Sequence, residues 1–278
     1  ALVYSSYSVS GWAGMKDGAK RTHQLRGVFQ SRVSLPTRVY VIGESMGGLI
    51  AVKLVETFPG QYDGALSLCG VLAGGVETVR YLVDARLVFD YFFPGVVPGT
   101  IFDVPPGIDF TPGGATYNAV LAALTAGLMS EGQPTLQFAR AAKVPAVSPA
   151  EIVSAGMNIV GMTMVHGPNL LDLTTGHMPY DNSNTEYSVC AGTQHECTPE
   201  EQTANAALNA GVARHRSDPA GINYLEHYYQ PTGDLRVPVL TLYTARDPIS
   251  PIFHERAFRA AVEGAGAADY LLQREIDV

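Results

Sequence analysis

Three stretches of the chain are short, apolar and rich in β-branched or aromatic residues: 2–7, 38–43 and 237–243. Gly, Pro or polar residues bound them. Runs of this kind predict strands buried on both faces of a parallel sheet, because a half-exposed strand would alternate apolar with polar. Residues 64–69 and 270–278 read the same way. Helical patterns fill the intervals. In 16–33, Ala19, Leu25, Val28 and Phe29 predict a crossover helix with one apolar stripe. Residues 49–58 predict a buried helix stopped by Pro59-Gly60, and 252–263 predict another. Strand, helix, strand, helix, strand is the order of a parallel sheet with right-handed crossovers.

The rhythm breaks after Gly70. From 71 to 234, Gly/Pro punctuation (Phe93-Pro94-Gly95, Val97-Pro98-Gly99, Pro105-Pro106-Gly107, Pro112-Gly113-Gly114) alternates with predicted helices over 117–128, 149–164, 199–214 and 221–229. A long segment without a core strand, set between two sheet strands, reads as an inserted cap. A separate helical domain is the alternative. The predicted organisation is a core in two parts, 1–70 and 235–278, with a cap over 71–234.

Composition narrows the function. The chain has 278 residues, of which 46% are hydrophobic, enough to bury a full core as one globular unit. Only 16% are charged and the net charge is −8, so a broad positive field for nucleic acid is not expected. No apolar run reaches the roughly 18–20 residues that span a bilayer, and 1–7 lack the charged start and apolar middle of a signal peptide. Cys190 and Cys197 enclose a polar stretch that a disulfide can close, against the alternative of two free thiols; Cys69 lies in an apolar run. Only His195 is near that pair, so zinc is not expected; nor does the chain imply a cofactor. The possible bridge and the loop-rich composition lean towards a secreted or periplasmic protein.

The chemistry centres on Gly43-Glu44-Ser45-Met46-Gly47-Gly48, a G-x-S-x-G pattern. The pattern alone is weak, but here a predicted strand runs into it and a predicted apolar helix leaves it. Glycines two before and two after the serine are expected because a chain turning sharply from strand to helix leaves no room for side chains there. The serine is then strained and exposed. Met46 N–H, at the start of the helix, is placed to donate to a developing oxyanion. The alternative is a tight glycine turn with a buried capping serine.

Ser45 and its surroundings resemble the nucleophile elbow of the α/β-hydrolases, a superfamily of esterases, lipases and prolyl-oligopeptidase-like peptidases. The resemblance covers about 1–70 and 235–278. It implies a mostly parallel sheet with flanking helices, here with a large, mainly helical cap insertion, and the order Ser, then Asp or Glu, then His. The acid follows a late strand, and Asp247 in Thr244-Ala245-Arg246-Asp247-Pro248-Ile249-Ser250-Pro251 resembles that loop. The alternative for Asp247 is a turn residue capping the next helix.

Serine needs a neighbouring base. The family's histidine follows the last strand, so it is expected beyond Val278; His254, within the helix 252–263, is a weaker alternative. His23, His166, His177, His195, His215 and His227 precede Asp247 and match no family position. The family's second oxyanion donor, from a loop after an earlier strand, has no counterpart here. Trp12 lines the site or packs against the cap, and His166, Tyr228 and Tyr229 are candidate substrate contacts.

The resulting expectation is a serine hydrolase cleaving carboxylic esters, or amides, of a small-molecule substrate through an acyl-enzyme on Ser45. Residues 1–278 alone are expected to turn over little. Tannase-like and feruloyl-esterase-like enzymes are similar, although Glu44 stands where tannases carry a cysteine. The alternatives are a prolyl-oligopeptidase-like serine peptidase and a non-catalytic binding protein on a hydrolase scaffold.

Overall fold

The structure, a computed structural model, describes residues 1–7, 11, 14–130, 132–191 and 196–276. In chain order its elements are α1 (Gly14–Arg32), β1 (Tyr40–Glu44), α2 (Met46–Thr57), β2 (Gly64–Leu68), α3 (Gly75–Phe92), α4 (Ala115–Ser130), α5 (Gly132–Ala141), α6 (Pro149–His166), α7 (Asn169–Leu173), α8 (Pro199–Gly211), α9 (Pro219–Tyr229), β3 (Val239–Tyr243), α10 (Phe253–Gly264) and β4 (Leu271–Glu275). They form two compact units, Ala1–Thr78 with everything from Ile222 onwards, and Val79–Gly221.

The first unit is an α/β fold. Its sheet has the order β1-β2-β3-β4 with every neighbouring pair parallel. One face is covered. Val41, Ala65, Ser67, Val239 and Thr241 are buried there; Ser67 abuts Gly48 of α2, and the Thr241 hydroxyl donates to Glu255 of α10 at 2.6 Å. Gln273 of β4 donates to the same Glu255 oxygen at 2.6 Å, so one carboxyl ties two strands to a helix. The loop entering β3 is moored to α2. Lys53 donates to the Gln230 carbonyl, and Glu56 accepts the N–H groups of Thr232 and Gly233.

Residues 2–7, predicted as a strand, do not form one. A strand exists only through ladder bonds to a neighbour. None of the described residues pairs with this segment, and Leu2 and Tyr4 stand 87% and 85% exposed. Helix α1 forms as expected but buries Met15 and Gly18, leaving Val28 exposed. Its apolar stripe is therefore not the predicted one. The outer sheet face also departs from expectation: Tyr40, Ile42 and Leu272 are exposed where continuous apolar runs predicted burial on both sides.

The second unit is helical. Helices α4, α5 and α6 bury Leu124, Leu128, Phe138, Ile152 and Ile159, and Phe138 meets Phe89 of α3 edge-on. Helices α3, α5 and α7 were not predicted. Asp84 of α3 accepts from the hydroxyls of Tyr180 and Tyr187 at 2.5 and 2.6 Å, and burial pushes its carboxyl up from the usual range. The Cys190–Cys197 disulfide is formed, with a Cα–Cα separation of 5.4 Å, and Asn205 of α8 donates to the Cys190 sulfur. Among the described residues no helix is long and apolar enough to cross a membrane, and no cluster of His, Cys, Asp or Glu is arranged to hold a metal ion.

Candidate active site

Ser45 occupies the single residue between β1 and α2. Its backbone has φ 53° and ψ −119°, in a region that L-residues avoid. The turn is held from both sides: Ser45 N–H donates to Leu68 O of β2 at 2.8 Å, while Ser45 C=O accepts from Gly48 and Leu49 at 3.0 and 3.3 Å. A side chain is half-exposed there rather than sealed in the core. That excludes the reading of a buried capping serine, and the Ser45 hydroxyl makes no cap bond to its own helix.

The glycines explain the motif, although not quite as expected. A Cβ on Gly43 would lie 2.0 Å from Gly47 O, and one on Gly48 would lie 2.4 Å from the Ser67 hydroxyl. Both positions demand glycine. Gly47, the second motif glycine, does not collide: its notional Cβ meets only the Tyr7 hydroxyl, at 3.8 Å. It matters as the obstacle that forbids a side chain at 43. Met46 is the first residue of α2, and no described residue accepts from its N–H, which is left at the positive end of the helix.

Asp247 lies just beyond β3, so it shares the C-terminal edge of the sheet with Ser45 and is separated from it by β2 alone. Two strand spacings come to about 10 Å, a gap that one imidazole bridges between a hydroxyl and a carboxylate. Asp247 Oδ1 accepts the N–H groups of Ile249 and Ser250 at 2.8 and 2.9 Å. This clamp fixes the carboxylate.

On this geometry the first unit is a parallel α/β sheet that carries a strand–serine–helix elbow at its C-terminal edge.

No protein-family model matches the chain, and no curated protein matches it. Solved structures do. A serine hydrolase, CCSP0084 from Cycloclasticus zankles, is similar at 10% identity and a TM-score of 0.36, covering 99% of this chain and 68% of its own. An acetylester hydrolase from Corynebacterium glutamicum is similar at 14% identity and a TM-score of 0.35, with 95% and 59% covered. A homoserine O-acetyltransferase from Bacillus anthracis is similar at 14% identity and a TM-score of 0.37, again with 95% and 59% covered. The chain thus spans about three fifths to two thirds of the length of these proteins. Likenesses this distant transfer no activity.

The histidines of this unit do not serve Asp247. His254 is fully buried in α10, stacked on Phe253, and its Nδ1 accepts the Ala73 N–H at 3.1 Å. Burial pushes its pKa down to about 3, so it is a neutral packing residue, which argues against it as base. His23 stacks on Phe58, and His227 packs edge-on to Tyr228. Tyr229 is wholly buried against Gly75 rather than facing a substrate, and Tyr228 carries Lys16 over its ring at 4.2 Å. In the second unit, His166 is half-buried at the end of α6. Trp12 and His195 lie outside the described residues.

Two residues at this edge were not singled out from sequence. Cys69, directly after β2, has φ 45°, donates its N–H to Leu242 O, and sets its thiol against Asp247; burial first, and that carboxylate second, push the thiol up. Tyr7 reaches the elbow from a segment read as a strand. In sequence the first is one more member of an apolar run and the second one more aromatic, so neither carried a signal.

Proposed function

We propose that this chain carries the nucleophile and acid of a serine hydrolase that cleaves carboxylic esters of small molecules through an acyl-enzyme on Ser45. The observation that carries the reading is the strained Ser45 backbone at the edge of a parallel sheet, with a clamped carboxylate two strands away. A serine held at φ 53° costs the fold roughly 1–3 kcal/mol, and structures retain such strain where it aims a reactive group. Met46 N–H donates to the oxyanion, and Asp247 orients a histidine base and stabilises its charged form. Residues 71–234 are proposed as a cap insertion of this hydrolase. The Cys190–Cys197 bridge supports a location outside the reducing cytosol.

The test uses the full-length protein with paired substrates, a nitrophenyl ester and a peptide nitroanilide. Ester turnover that falls roughly 10³-fold or more in Ser45→Ala, with little anilide cleavage, is expected. Dominant anilide cleavage would move the assignment to a peptidase. Turnover unaffected by Ser45→Ala would overturn the site.

A further inference from the structure

We propose that the Tyr7 hydroxyl is the second donor to the oxyanion, working beside Met46 N–H; this rests on Ser45 being the nucleophile. A tetrahedral oxyanion held by one N–H is poorly stabilised, so a second donor beside Met46 has a defined role. The Tyr7 ring is wedged between two helices. A Cβ on Gly18 of α1 would lie 3.0 and 3.1 Å from its Cε1 and Cδ1, and 3.0 Å from Ile50 Cδ1 of α2. The slot therefore exists only because residue 18 has no side chain. From this slot the hydroxyl extends to the first turn of α2, 3.8 Å from the point where a Gly47 Cβ would stand, next to Met46.

Gly47 has no steric need to be glycine on its own account, and the space it leaves open is the space the phenol faces. No described residue accepts from the Tyr7 hydroxyl, and the residue stands 38% exposed, so a substrate oxygen can reach it. Burial also raises its pKa, so the group keeps its proton and stays a donor through the neutral range.

In the acylation step the Ser45 Oγ–carbon bond forms as the carbonyl π pair moves onto oxygen. The serine proton passes to the histidine. Collapse of the tetrahedral species expels the alcohol, which takes that proton. Tyr7 transfers nothing; it donates a hydrogen bond that strengthens as charge builds on the oxygen.

Tyr7→Phe keeps the wedged ring and removes only the donor. In the full-length protein we expect its ester kcat to fall about 10- to 100-fold with KM within about twofold and an unchanged melting temperature. A trifluoromethyl ketone, which forms an oxyanion on serine, should lose affinity in proportion. An unchanged kcat, or a lowered kcat with unchanged ketone affinity, would overturn the role of Tyr7. Ester turnover that survives Ser45→Ala would instead remove the reading on which it rests.

Discussion

At the scale of single residues, the strain at Ser45 has to be compensated by what surrounds it, and two glycines supply the room. Gly43→Ala would drive a methyl into the Gly47 backbone at 2.0 Å, where neither partner can yield. Loss of more than about 4 kcal/mol, read as failure to give a cooperative melt, is expected. Gly47→Ala meets only the Tyr7 hydroxyl at ordinary contact distance, so its melting temperature should stay within a few degrees of the parent. Equal damage from both changes would mean that the elbow is built differently. The motif made Ser45, Met46 and Gly43 legible in sequence, since each is needed locally. Cys69 and Tyr7 were not legible because their place at the elbow depends on tertiary packing: one is brought there by the strand between nucleophile and acid, the other by a slot between α1 and α2.

At the scale of elements, α10 shows what holds the acid strand in place. His254, Phe258 and Val262 recur every four residues and form its buried face. A histidine on that face stays neutral while the unfolded chain's histidine titrates near pH 6.5. The folded pKa is depressed, so the unfolded state binds the extra proton between about pH 6.5 and about 3. Stability is therefore fully present above pH 6.5 and is lost as pH falls through that window, by on the order of 5 kcal/mol. His254→Gln retains an acceptor for Ala73 N–H and does not titrate; chemical denaturation from pH 7 to 4 should show a flatter profile for the variant. Parallel profiles would contradict this role.

Strands β1, β2 and β3 were readable because each is a short, mostly apolar run ending at turn residues, even though the outer sheet face is exposed. Helix α3 was not: Val79, Leu82, Val83, Leu87, Val88 and Phe89 are all buried, so no polar face marks its period. Residues 2–7 failed in the opposite sense, having strand composition without a partner.

At the scale of the molecule, the Cys190–Cys197 bridge closes a short loop within the helical unit. A sequence separation of 7 gives a chain-entropy contribution of about 2.5 kcal/mol. Replacing both cysteines with serine should lower the denaturation midpoint accordingly, and reductant should then have no further effect on the variant. An unchanged midpoint would show that the loop is ordered by Asn205 and its neighbours without the bridge.

The most direct test of the central claim is to locate the adduct formed by a fluorophosphonate on the full-length protein by peptide mass spectrometry. A single phosphonyl group on Ser45, formed within minutes and absent from Asp247→Asn or much slowed in it, is the predicted result. Rapid labelling at another residue, or a Ser45 as inert as any surface serine, would contradict the account.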